Sequence, residues 1–123
     1  RVVVLLSEEE LTGYYDDDLL GRYRDEFGSD HVLHSPVEDH SACSPEQLHD
    51  EILPFLRESI KKDMRVAVHC SAGIGRTGQV LFAWMVHGHG ASKEDAMSEV
   101  RDIGCNPLEA LTQDELYELV EVE

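Results

Sequence analysis

A chain of 123 residues, 41% of them hydrophobic, is long enough for one domain with a single core and too short for a second catalytic unit. Its 26 acidic residues against 10 Lys and Arg give a formal charge of −16, which disfavours nucleic acid and anionic membranes as partners, because both need a basic footprint. No apolar run approaches the roughly 18 residues of a membrane span and no leader pattern stands out, so a soluble, cytoplasmic protein is expected.

Lysine is scarce, at Lys61, Lys62 and Lys93 only. An acid-rich surface of this kind reads as ordinary solubility or as adaptation to a salty cytoplasm that screens its self-repulsion. Cys43, Cys70 and Cys105 are too few and too irregular for a disulfide framework, which implies reduced thiols. Arg1 leads straight into the run VVVLL, so the single unit 1–123 reads as trimmed at its N-terminus.

In chain order, Val2 to Leu6 is a continuous apolar run, the mark of a strand buried on both faces. Ser7 and Glu10 form a capping box that opens a short helix. Leu19, Leu20, Tyr23 and Phe27 fall at helical spacing, and Gly28 ends that segment. His31 to Leu33 predicts a second strand, followed by the turn-rich SPVEDHSACSP. Ser44, Pro45 and Gln47 start a helix with an apolar stripe at Leu48, Ile52, Phe55 and Leu56, which Pro54 should kink or split. Arg65 to His69 is the third strand, and Thr77 to Val86 the next helix, closing near Gly88. Capped helices over Ser92 to Ile103 and Thr112 to Val120 complete the chain. The alternation predicts an α/β fold with a mostly parallel central sheet and a ligand at the carboxyl ends of its strands.

The stretch VHCSAGIGRTG, Val68 to Gly78, carries two fingerprints. Gly73, Gly75 and Gly78 spell G-x-G-x-x-G, but a dinucleotide site needs a second strand after the following helix and an acid about 20 residues on. Here another helix follows, and the candidate acid, Glu99, lies inside it. Cys70 and Arg76 spell C-x5-R in the right context, a strand end, a tight loop and a helix start. Amides of Ser71, Ala72, Gly73, Ile74, Gly75 and Arg76 can converge on phosphate oxygens, and the Arg76 fork can clamp two of them. The same field favours a thiolate at Cys70. The competing reading, an inert buried thiol, leaves Arg76 and the glycines unexplained.

HCSAGIGRTG resembles the signature of the protein tyrosine phosphatase superfamily, in its small dual-specificity branch. The resemblance implies the cysteine-phosphatase fold and hydrolysis of phosphotyrosine and phosphoserine or phosphothreonine through a phosphocysteine, with no cofactor and no metal. Pro36, Val37, Glu38 and Asp39 match the family's acid loop, which makes Asp39 the general acid and then the base, with Glu38 its nearest rival. By the same resemblance, His69 orients the loop and Thr77 stabilises the departing thiolate. Gln113 matches a glutamine that helps position water, a surface polar residue being the competing reading. The implied partners are a phosphorylated protein or peptide and an oxyanion in the loop, with no nucleic acid or membrane, and a monomer is expected. Nucleotide or RNA 5′-phosphates, inositol phosphates and non-catalytic phosphopeptide capture are the alternatives. Histidine pairs His31/His34 and His87/His89 form no established zinc pattern. Cys43, four residues beyond Asp39, is a candidate resolving partner if peroxide oxidises Cys70.

Overall fold

Among the described residues, three short strands, β1 (Val2–Val4), β2 (Val32–His34) and β3 (Ala67–His69), build a parallel sheet in the order β2-β1-β3. The computed structural model describes residues 1–14, 18–38, 41–70 and 75–121. Val2 pairs with both Val32 and Ala67, and Val4 with His34 and His69, so the apolar run at the start of the chain becomes the central strand. Its alternating side chains feed two layers. Val3 and Leu5 join the larger core with Leu48, Ile52, Leu53, Phe82, Val100 and Leu116. Val2, Val4 and Leu6 face Leu11, Leu19, Leu20 and Tyr23 instead. Each such aliphatic side chain, fully buried, is worth roughly 1.5–3 kcal/mol, which is why so short a strand holds the middle of the fold.

Among the described residues, six α-helices flank the sheet: α1 (Glu8–Tyr14), α2 (Leu19–Phe27), α3 (Leu53–Lys61), α4 (Arg76–His89), α5 (Lys93–Asp102) and α6 (Gln113–Glu121). The expected caps are formed. Ser7 and Glu10 exchange reciprocal bonds of 3.0 and 3.2 Å, Ser44 and Gln47 bonds of 3.0 and 3.1 Å, and Ser92 Oγ accepts from Asp95 N. Thr112 and Glu115 repeat the box at α6. Gly28 ends α2 with φ 92°.

The strands are shorter than or offset from their expected ranges, β1 ending at Val4, β2 covering Val32–His34 and β3 starting at Ala67. Pro54 divides its helix as expected, standing at the start of α3. The turn ahead of it, Gln47–Ile52, is π-helical, and Leu53 N bonds to Leu48 O, five residues back. That wider register accommodates a ring with no N–H, and α3 then runs on to Lys61. Helix α4 passes its expected close at Gly88 and ends at Gly90, φ 69°. A Cβ at Gly88 would lie 2.6 Å from the Trp84 ring, so this glycine seats the indole one turn back rather than stopping the helix. Two histidines then tie α6 to the body: His49 Nε2 lies 2.8 Å from the Leu119 carbonyl oxygen, and His87 Nε2 bonds to that of Val120.

Among the described residues, no helix is long and apolar enough to cross a membrane.

Candidate active site

Cys70 is buried immediately after β3, and α4 begins six residues later at Arg76. The parallel sheet thereby aims a nucleophile at the amino terminus of a fourteen-residue helix, where backbone N–H groups supply partial positive charge. Thr77, in the first turn of α4, donates its hydroxyl to Cys70 Sγ at 3.2 Å. A donor on sulfur favours its anionic form. Ser71, Ala72, Gly73 and Ile74, expected to cradle phosphate, and the candidate acid Asp39 lie outside the described residues. Gly75 has an ordinary φ of −83°, so backbone freedom is not what this position requires. The Glu109 side chain packs against it instead, 3.1 Å from where a Cβ would stand.

His69 ends β3 half-buried, with Nε2 3.1 Å from the Tyr23 hydroxyl and Nδ1 3.4 Å from the Cys70 carbonyl oxygen. A tautomer with the proton on Nδ1 satisfies both contacts: Tyr23 donates to Nε2, and Nδ1 donates to the carbonyl. The two rings meet edge to face at 5.8 Å. This arrangement makes His69 a brace for the backbone at Cys70. Gln113 stands exposed at the start of α6.

Arg76 is buried, and a buried guanidinium requires a counter-charge. Glu10 provides it: Nη1 donates to Oε1 at 2.5 Å and Nη2 to Oε2 at 2.8 Å, while Nη1 also donates to the Val37 carbonyl at 2.7 Å. The hydrogen bond from Arg76 is the main force holding the Glu10 carboxyl down at about 2, with burial opposing it and Ser7 assisting. Sequence reading identified Glu10 only as a helix-capping residue. Its second task is to hold the arginine fork, and the available signal was that an arginine at a buried helix start needs an acid.

The cysteines divide clearly. Cys43 is buried, and burial raises its thiol to about 11, far from a reactive thiolate. Cys105 is half-exposed, and its thiol is raised by desolvation and then by the negative charge of a Cys70 thiolate. Cys43 is therefore a poor resolving partner. Brief treatment with peroxide, followed by mass spectrometry, should find Cys70 oxidised and Cys43 unmodified; a Cys43 to Cys70 disulfide would contradict this account.

A cysteine at a strand end and an arginine at the following helix start, on a parallel α/β sheet, define the protein tyrosine phosphatase fold. Tk-PTP in its active form matches 98% of this chain and 74% of its own, at 35% identity and a TM-score of 0.73. PTPMT1 in complex with PI(5)P shares the fold at 20% identity and a TM-score of 0.74, over 98% of this chain and 76% of its own. In sequence, the dual specificity protein phosphatase Mpk3 of Drosophila melanogaster is 32% identical over 85 residues, 69% of this chain and 20% of that protein. The chain spans about a third or less of the curated relatives it matches. Residues 1–91 match the family described as "Polymorphic toxin system, DSP-PTPase phosphatase", and the chain belongs to that family.

Proposed function

We propose that this domain hydrolyses phosphate monoesters on proteins, taking phosphotyrosine and phosphoserine or phosphothreonine, through a phosphocysteine at Cys70. The observation that carries the reading is the Thr77 hydroxyl on Cys70 Sγ, one residue from an arginine already held in place by Glu10. Cys70 attacks phosphorus, and the bond to the ester oxygen breaks as Asp39 delivers a proton to it. Asp39 then takes a proton from water, which attacks the phosphocysteine, and Thr77 stabilises the thiolate that leaves. Arg76 and the amides of residues 71–76 hold the equatorial oxygens throughout. Gln113 is assigned to positioning that water and His69 to bracing the loop.

Phosphoinositides are the second reading, because PTPMT1 shares the fold and was solved with PI(5)P. The formal charge of −16, and neutral Ala72 and Ile74 inside the loop, favour a less charged substrate than a multiply phosphorylated headgroup.

Turnover on a panel of phosphopeptides, nucleotides and inositol phosphates tests the substrate class, with phosphopeptides expected to be the best substrates. Asp39→Asn is expected to lose about 10² to 10⁴ in rate on poor leaving groups and much less on good ones, since only the former need a proton. A larger, equally selective loss in Glu38→Gln would move the acid to Glu38.

A further inference from the structure

Gln79 is an anomaly in α4. It is fully buried, and its neighbours Val80, Phe82 and Ala83 are buried and apolar. A primary amide in such a place destabilises the fold unless its donors and acceptor are engaged. Both ends of this one are spent on the backbone of a single loop. Oε1 accepts from Cys43 N at 3.0 Å, and Nε2 donates to the Ser41 carbonyl at 3.4 Å. The loop is the one that carries Asp39. Residues 76 and 79 share a face of the helix, three positions apart, and Arg76 reaches the same loop on the other side of Asp39 through the Val37 carbonyl.

The remaining bonds complete a frame around that segment. Val37 N donates to Leu5 O at 3.0 Å, Ser41 N to Glu38 O at 3.1 Å, and Gln47 Nε2 to Pro36 O at 2.7 Å. Every one of these attachments is to backbone, so the frame constrains the path of the loop whatever side chains it bears.

We propose that Gln79 is a positioning residue for proton transfer: it anchors the downstream side of the acid loop to the helix that presents the arginine, keeping the acid in register with the leaving oxygen. The proposal rests on Asp39 being the general acid. It assigns Gln79 no contact with substrate. Because Arg76 and Gln79 are one turn apart on α4, the phosphate clamp and the acid loop share one rigid support.

The test is Gln79→Met, which keeps the shape and removes both bonds. Loosening the loop by about an ångström should lower kcat on phenyl phosphate or a phosphotyrosine peptide by about 10- to 100-fold. Turnover of 2,4-dinitrophenyl phosphate, which needs no proton, should stay within about threefold, and vanadate affinity should not change. In an Asp39→Asn background Gln79→Met should cost nothing further in rate, the sign of two residues acting through one step.

Gln79→Glu guards against a folding failure. Its carboxyl group, while protonated, can make both bonds, so its turnover of poor leaving groups relative to the parent should be unchanged at low pH and should fall as it ionises, with 2,4-dinitrophenyl phosphate little affected. Equal slowing of all substrates by Gln79→Met, with Asp39→Asn still selective, overturns the role of Gln79 alone. Absence from both variants of a loss confined to poor leaving groups overturns the acid assignment together with it.

Discussion

Cys70→Ser is expected to lower phosphomonoester turnover by on the order of 10⁴ to 10⁶ while leaving oxyanion binding intact. Sulfur at this position receives the Thr77 hydroxyl at 3.2 Å and sits at the start of a loop leading into a helix amino terminus, a setting that stabilises a thiolate without a neighbouring base. A serine hydroxyl ionises far less readily and would need a base. The adjacent imidazole, His69, is engaged by Tyr23 and by the Cys70 carbonyl. Turnover of p-nitrophenyl phosphate, together with calorimetric titration of orthovanadate, separates the two effects. Undiminished activity in the variant, or activity wholly dependent on an added divalent metal, would falsify the nucleophile.

The second large effect is placed at Glu10. Glu10→Gln keeps a side chain able to complete the Ser7 capping box and removes the charge opposite Arg76. Breaking a buried pair from one side leaves the other charge uncompensated and costs about 3–5 kcal/mol, or roughly 10–20 °C in Tm for a domain of this size. The same pair gives stability a pH dependence. The folded-state carboxyl titrates at about 2 against an ordinary 4.5. Its contribution, on the order of 3 kcal/mol, is therefore present above pH about 4.5 and lost as pH falls toward 2. Chemical denaturation of both proteins between pH 2 and 7 should show that acid slope in the parent and a shallower one in Glu10→Gln. Saturating phosphate should restore part of the variant's Tm, since a dianion supplies the missing negative charge. Identical slopes would mean that the pair makes no net contribution.

The difference between these two residues shows what a linear chain can reveal. The juxtaposition of Cys70, Arg76 and Thr77 was legible because a strand end and the helix start that follows it are local, with every part inside ten residues. The caps at Ser7, Ser44, Ser92 and Thr112 were legible for the same reason. Glu10, Tyr23 and Gln79 were not. Glu10 meets Arg76 across 66 residues, in a chain whose 26 acids offered no way to choose among them. Tyr23 lies in the apolar stripe of α2, where its hydroxyl could not be assigned a partner from spacing. Gln79 follows a motif whose glycines drew the reading toward the loop, yet it works toward a segment 36 residues upstream. The π turn before Pro54 also escaped, because a proline predicts a lost donor but not which of two registers absorbs it.

The sheet order carries a consequence for assembly. The first strand in the chain is the middle one in space, and it can complete neither ladder until Val32 and Ala67 have been brought back to Val2. Loop closure of that span must precede any reward from the ladder, so β3 is the slowest partner to recruit. The nucleophile sits one residue beyond β3, tethered to the contact with the longest closure. A detachment of β3 from β1 would thus separate Cys70 and His69 from the central strand while the β1–β2 pair stayed zipped, so catalytic competence is expected to depend on the β1–β3 ladder more than on the β1–β2 one.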